Sequence, residues 1–203
     1  MKNKGMANET FIGIACLLLF IFMAFMCYIT HKDVLADNAT DLYDLIDNNK
    51  ELKEQYVELY IDGVIGNYAE TQHKINGFIP AGTEQHYLIW LEDGTFISVT
   101  AKNKDLLSQL DAISNDTWNY IEEKTDTLDK SIIVKGMLSP MNTEIQGYCN
   151  EWLDSLGISH SDMRYVTINT GVTLSFVLGE LGICLLFIAF SVFLIISPLK
   201  KYH

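Results

Sequence analysis

A chain of 203 residues with a formal net charge of −12 is long enough for two membrane spans and one domain that buries a core without disulfide or metal staples. Between His31 and Thr170 ten Lys/Arg stand against twenty-four Asp/Glu, a net of −14, which excludes nucleic acid as a partner of that region and favours cations or basic partners. Three of the four cysteines, Cys16, Cys27 and Cys184, lie in apolar runs; Cys149 alone belongs to the middle, so no internal disulfide and no Cys/His zinc spacing is available there.

Met1–Thr10 is a short polar tail carrying Lys2 and Lys4. Phe11–Ile29 follows, 19 residues without a charge, which as a helix reaches roughly 28 Å, about the thickness of a bilayer's hydrocarbon core. A signal peptide cleaved after Ala36, behind Val34-Leu35-Ala36, competes with an uncleaved anchor. The run is longer than a signal core of about 7–15 residues, which favours the anchor. A second apolar run, Val172–Ser197, ends at Pro198-Leu199-Lys200-Lys201. Lys2, Lys4, Lys200 and Lys201 outweigh Lys32 and Arg164, so both termini are expected in the cytoplasm. The expected organisation is a tail over 1–10, a span over 11–30, an extracytoplasmic domain over 31–170, a second span over 171–197 and a tail over 198–203, in the plasma membrane.

Within the middle domain the patterning predicts mixed α and β. Leu42, Leu45, Ile46 and Leu52 have helical spacing over Ala39–Gln55, with Asp37, Asn38 and Thr40 as candidate caps. Tyr56–Ile61 alternates as a strand, and after a turn at Asp62-Gly63 a second strand returns over Val64–Tyr68. Gly77–Gly82 reads as a loop, with Ile79-Pro80-Ala81-Gly82 suited to a type I turn. Gln85–Leu91 and Thr95–Thr100 flank Glu92-Asp93-Gly94 and predict a tight hairpin with positive φ at both central residues. Lys104–Glu122 carries Leu106, Leu110, Ile113, Thr117 and Ile121 on one stripe, an amphipathic helix. Ser131–Leu138 is a further strand. Ser139 is expected to cap a helix opened by Pro140, with Ile145, Cys149, Trp152 and Leu156 on one face and Gly157 at its end. Arg164–Ile168 is expected as an edge strand. Together these predict an α+β fold, a small antiparallel sheet packed with helices between two transmembrane helices.

The run Gly77-Phe-Ile-Pro-Ala-Gly-Thr-Glu-Gln-His-Tyr-Leu-Ile-Trp-Leu-Glu-Asp-Gly-Thr-Phe-Ile-Ser-Val99 resembles a group of uncharacterised Gram-positive bacterial membrane proteins with two spans around an extracytoplasmic α+β domain. The resemblance implies that architecture and a bacterial source, and it transfers no activity and no functional residue. Asn38-Ala-Thr40 and Asn115-Asp-Thr117 fit the N-glycosylation pattern, which matters only in a eukaryotic secretory pathway.

Glu84, His86 and Asp93, with His73 nearby, form a weak polar cluster. A metal or acid–base site needs such groups to converge, whereas His86 should face with Leu88 and Trp90 and Asp93 should sit at the hairpin tip. Solvated strand ends are the plain alternative. Ser159-His160-Ser161-Asp162 has the letters of a triad, but adjacent loop residues mostly point apart. Glu180 is the single charge in the second run: an intramembrane carboxylate, or an interfacial one reaching headgroups if the crossing begins at Leu181. Gly171, Ser175, Gly179 and Gly182 present small residues at a spacing that lets helices approach closely, either the first span or a second copy. No cofactor and no metal site is indicated. The expected role is a non-catalytic binding, sensing or scaffold module at the cell surface. Alternatives are a membrane-anchored enzyme or metal-dependent hydrolase, and an accessory subunit contacting a membrane partner or a homodimer through the second helix.

Overall fold

The computed structural model describes residues 2–75 and 79–200, with side chains described for 10–72 and 82–197. Lys201, part of the loop expected at Gly77–Gly82, and the side chains of Lys2, Lys4, His73 and Lys200 lie outside what is described. The chain divides into two compact units, residues 1–37 with 173–203, and residues 38–172.

The first unit is a pair of helices, α1 (Lys2–Leu35) and α5 (Leu174–Lys200). Thr10–Leu35 and Leu174–Ser197 are long and apolar enough to cross a membrane, by length and composition. The two pack side by side. Phe20 stacks on Phe187 with ring centroids 4.6 Å apart. A Cβ on Gly13 would lie 2.8 Å from Ile195 Cγ1 and 3.4 Å from the Ser191 carbonyl, so this glycine marks a close approach. Buried Ser191 returns its hydroxyl to the Phe187 carbonyl at 2.8 Å, which satisfies it without water. Helix α1 leaves helical geometry at His31 (φ −115, ψ 17).

The second unit holds seven strands in the order β1-β2-β6-β7-β5-β4-β3. Their ranges are β1 Thr40–Asp41, β2 Gln55–Ile61, β3 Gly63–Ile75, β4 Ile79–Trp90, β5 Phe96–Ala101, β6 Ile132–Pro140 and β7 Met163–Asn169, with helices α2 (Leu42–Asp47), α3 (Lys104–Ile121) and α4 (Thr143–Leu156). The fold is α+β as expected, but the sheet is larger than expected and mixed: β1–β2 and β5–β7 are parallel. One residue, Asp62, joins β2 to β3, so their facing ends stand at most about 7.6 Å apart. In a flat sheet, strands five positions apart would be about 24 Å apart. The sheet therefore curls until β3 returns beside the end of β2.

Alternation in the strands makes two cores. Val57, Leu59, Ile61, Tyr87, Ile89, Ile97, Val99, Leu138 and Ile168 pack with Leu110 and Ile113 of α3 and Leu42 and Leu45 of α2. On the other face Leu88, Phe96 and Met163 pack with Ile145, Cys149 and Leu153 of α4. Burial there pushes the Cys149 thiol up to about 11. Helix α3 also closes the returning edge. Thr117 Oγ1 accepts from Val64 N at 3.0 Å, while Ser114 Oγ and Trp118 Nε1 donate to the Ile65 carbonyl at 3.1 and 2.8 Å. Backbone groups that a neighbouring strand would have bonded are thus satisfied. Buried Asp116 accepts from Asp129 N and Lys130 N at 2.7 and 3.0 Å, holding the loop between α3 and β6.

Several expectations are corrected. The helix over Ala39–Gln55 shrinks to Leu42–Asp47, because Thr40 and Asp41 pair with Val57 and Glu58. Asp41 then caps Tyr43 N at 2.9 Å, and Asn49 at φ 50 ends the helix. Val64–Tyr68 does not pair back onto β2. It is the start of a 13-residue strand paired with β4. Ile79–Gly82 is strand rather than turn, in register with Ile75, Lys74 and His73. Ser139 and Pro140 finish β6, opposite Thr167 and Val166, and Asn142 caps α4, accepting from Ile145 N at 2.9 Å. Strand β7 is central, between β6 and β5.

The β4–β5 hairpin, the α3 stripe through Leu106, Leu110, Ile113 and Thr117 and the left-handed Gly157 closing α4 (φ 69) are as expected, whereas Ile121, expected on that stripe, is exposed at the end of the helix. The hairpin turn differs in kind. Gly94 has φ 81 and Asp93 is not among the positive-φ residues, while Gly94 N donates to the Leu91 carbonyl and Leu91 N to the Thr95 carbonyl, both at 2.9 Å. That is a type I turn followed by a glycine bulge, which needs a single left-handed residue.

Candidate functional site

Beyond the N-terminus of α4 the sheet face changes character. The apolar rows that α4 covers give way to Ser139 on β6, Thr167 and Asn169 on β7, Ser98 and Thr100 on β5, and Glu84 and His86 on β4. Register places these side by side: Ser139 opposite Thr167, Thr167 opposite Ser98, Asn169 opposite Thr100, and Thr100 opposite His86. A cavity of about 170 Å³ opens over this polar stripe, lined by Glu84, His86, Thr100, Ser139, Asn142, Thr167 and Asn169, with Pro140, Met141 and Ile145 as its apolar side.

Its floor is a chain of hydrogen bonds. His86 is buried, with Nε2 3.0 Å from Thr71 Oγ1 and Nδ1 3.0 Å from Thr100 Oγ1. Thr100 Oγ1 is in turn 2.9 Å from Thr167 Oγ1. Tyr68 OH lies 2.8 Å from Ser98 Oγ, and burial raises the Tyr68 phenol well above its usual range, partly offset by that hydrogen bond. Both imidazole nitrogens are engaged by hydroxyls, which fixes the ring and passes its orientation to Thr100 and Thr167. Mostly buried Glu84 forms an ion pair with the half-exposed Lys102.

Asp93 is not part of this site. It stands at the β4–β5 turn, accepting from Thr95 N and Thr95 Oγ1 at 3.0 and 2.6 Å and from Arg164 Nη2 at 2.8 Å. Desolvation pushes its carboxyl up. The Thr95 and Arg164 hydrogen bonds and the guanidinium charge outweigh that and hold it below the usual carboxylate range. Ser159–Asp162 forms an exposed turn in which His160 Nε2 lies 2.9 Å from Asp154 Oδ1.

In the helix pair, Glu180 Oε2 lies 3.8 Å from His31 Nε2 and 3.6 Å from Cys27 Sγ. Gly179 and Gly182 of α5 do not face α1: a Cβ on either would meet nothing within 4 Å. Gly171 precedes α5 and does not extend that face. Among the described residues no group of three or more His, Cys, Asp or Glu could hold a metal ion.

The sequence showed Glu84 and His86 but not Thr100, Ser139, Asn142, Thr167 or Asn169. The available signal was alternation itself, since Phe96-Ser98-Thr100 and Tyr165-Thr167-Asn169 each turn polar at one end of one face.

The architecture is an α+β domain built on a seven-stranded mixed sheet and flanked in sequence by two long apolar helices. The chain belongs to the DUF8577 family, a domain of unknown function, whose model matches residues 1–197. A segment is also similar to Centrosomal protein of 131 kDa from Danio rerio, 33% identical over 107 residues that make up 53% of this chain and 9% of that protein. The chain thus spans under a tenth of the length of that curated relative. No solved structure matches.

Proposed function

We propose that this protein is a membrane-anchored binding or sensing module of the plasma membrane. Helices α1 and α5 cross the bilayer, both termini are cytoplasmic, and the acidic α+β domain takes up a small polar solute outside. The observation that carries the binding role is the polar cavity over the sheet stripe, whose His86 has both nitrogens bonded to threonine and whose Glu84 is paired with Lys102. Groups engaged in this way serve a fixed recognition surface better than a base that must exchange protons. Membrane insertion is supported by apolar helix surfaces that water would penalise: Phe11 is 72% and Leu186 73% exposed. The orientation rests on the basic residues at the chain ends.

Full-length protein in detergent, heated with a panel of small polar solutes, tests the binding role, because a ligand selective for the folded state raises the melting temperature with its concentration. A midpoint unmoved by every solute, together with a hydrolytic activity abolished by Glu84→Gln, would replace it with the enzyme. Protease added to intact cells should cut between Lys32 and Arg164 and spare tags at both ends. An externally cleaved tag after His203 would refute the topology.

A second role, as an accessory subunit or homodimer, is favoured by the face of α5 bearing Ser175, Gly179 and Gly182. It is left open by α1 and suits close approach of another helix in lipid.

A further inference from the structure

Two asparagines decide what the cavity can hold. Asn142 Oδ1 accepts from Ile145 N and Asn169 Oδ1 accepts from Gly171 N, both at 2.9 Å. A side-chain amide whose oxygen is fixed by a backbone N–H presents its nitrogen on the other side, and that nitrogen can only donate. Neither amide nitrogen has a partner among the described residues, and both residues line the cavity. The Ser139 hydroxyl, the Thr167 hydroxyl when Thr100 donates to it, and the positive end of α4 add to the donor character of this side. A carboxylate, with about four lone-pair sites, matches it.

A lone anion is a poor match for the whole. It would have to approach a region of net charge −14 and share the cavity with Glu84. A ligand that carries its own cation meets neither objection, because its ammonium can replace the Lys102 ammonium on Glu84. Lys102 is 49% exposed against 12% for Glu84, so it can swing into water while Glu84 stays neutralised. The volume of about 170 Å³ is ample for several waters at the roughly 10–15 Å³ that each needs, room for a small solute. Pro140, Met141 and Ile145 leave room for a short side chain.

We propose that the cavity at the start of α4 binds a small α-amino acid of the size of glycine, alanine or serine as its zwitterion, with the carboxylate on Asn142, Asn169, Ser139 and Thr167 and the ammonium on Glu84. This assignment rests on the solute-binding role proposed above and names its ligand. The test is calorimetric titration of the full-length protein in detergent with glycine, L-alanine and L-serine, beside acetate, methylammonium and glycerol. The amino acids should bind at least about tenfold more tightly than either half-ligand, since each half forfeits one charge-assisted contact. Glu84→Gln should weaken alanine about tenfold while acetate binds no more weakly than before, because the same change removes a repelling charge; Asn169→Ala should weaken both, and Lys102→Gln should strengthen alanine by removing a competitor. Acetate binding as tightly as alanine would overturn the zwitterion and leave an anion site. Glycerol binding without amino-acid binding would overturn the ligand class while sparing the solute-binding role. No binding of any probe by protein with an intact near-ultraviolet CD spectrum would overturn both. The comparison of half-ligands on the unmodified chain decides the matter even if a variant fails to fold.

Discussion

Thr117→Val isolates the contribution of α3 to closing the sheet. Val64 N donates to Thr117 Oγ1 at 3.0 Å, and the same hydroxyl returns to the Ile113 carbonyl at 2.9 Å inside a fully buried site. Valine keeps the volume but strands a buried N–H, a loss worth about 1–3 kcal/mol. The Ile65 carbonyl differs, because Ser114 and Trp118 both donate to it. Ser114→Ala therefore leaves one bond in place and should cost under about 1 kcal/mol. Thr117→Ser keeps the hydroxyl and loses a methyl, about 1 kcal/mol. At about 2 kcal/mol, Thr117→Val should lower the melting temperature by roughly 8 °C for a domain of this size. Tryptophan fluorescence reads it cleanly, since Trp90, Trp118 and Trp152 all lie within residues 38–172. A Thr117→Val midpoint within about 1 °C of the parent, or a Ser114→Ala loss of equal size, would refute the asymmetry.

Asp93 has its carboxyl held low in the folded state, so its stabilising contribution is present above the unfolded value of about 3.9 and disappears as pH falls through the folded one. Asp93→Asn should lower the denaturation midpoint at pH 7, and the gap between the two proteins should begin to narrow below about pH 4 and close only below the folded value; a gap that stays constant as pH falls from about 4 to about 2 would mean the loss is steric. Gly13→Leu should separate α1 from α5, because even its Cβ falls 2.8 Å from Ile195 Cγ1, whereas Gly179→Leu and Gly182→Leu should leave the pair intact. Intramolecular cysteine cross-linking between the two helices reads this, and equal losses in all three variants would contradict the placement of the contact.

The sequence by itself determined the features that one element expresses through its own periodicity. A charge-free run of 19 residues can only suit an apolar surrounding. Val57-Leu59-Ile61 alternates because one face of β2 meets the core, and Leu110, Ile113 and Thr117 share a stripe because α3 does. What only the tertiary structure decided was which edges meet. Nothing local to Met163–Asn169 says that β7 is central rather than an edge, and the turn signal at Asp62-Gly63 does not say that the strand after it pairs with β4 at the far edge, under α3, rather than with β2. The polar stripe was hidden for the same reason. Serine or threonine at alternate strand positions looks alike whether it faces water or lies beside a helix. Thr100 and His86 became the floor of a cavity because the β4–β5 hairpin and the distant strands β6 and β7 brought their polar ends into register just where α4 begins. Periodicity reports the environment of one element, whereas strand order and cavities are set by non-local pairing.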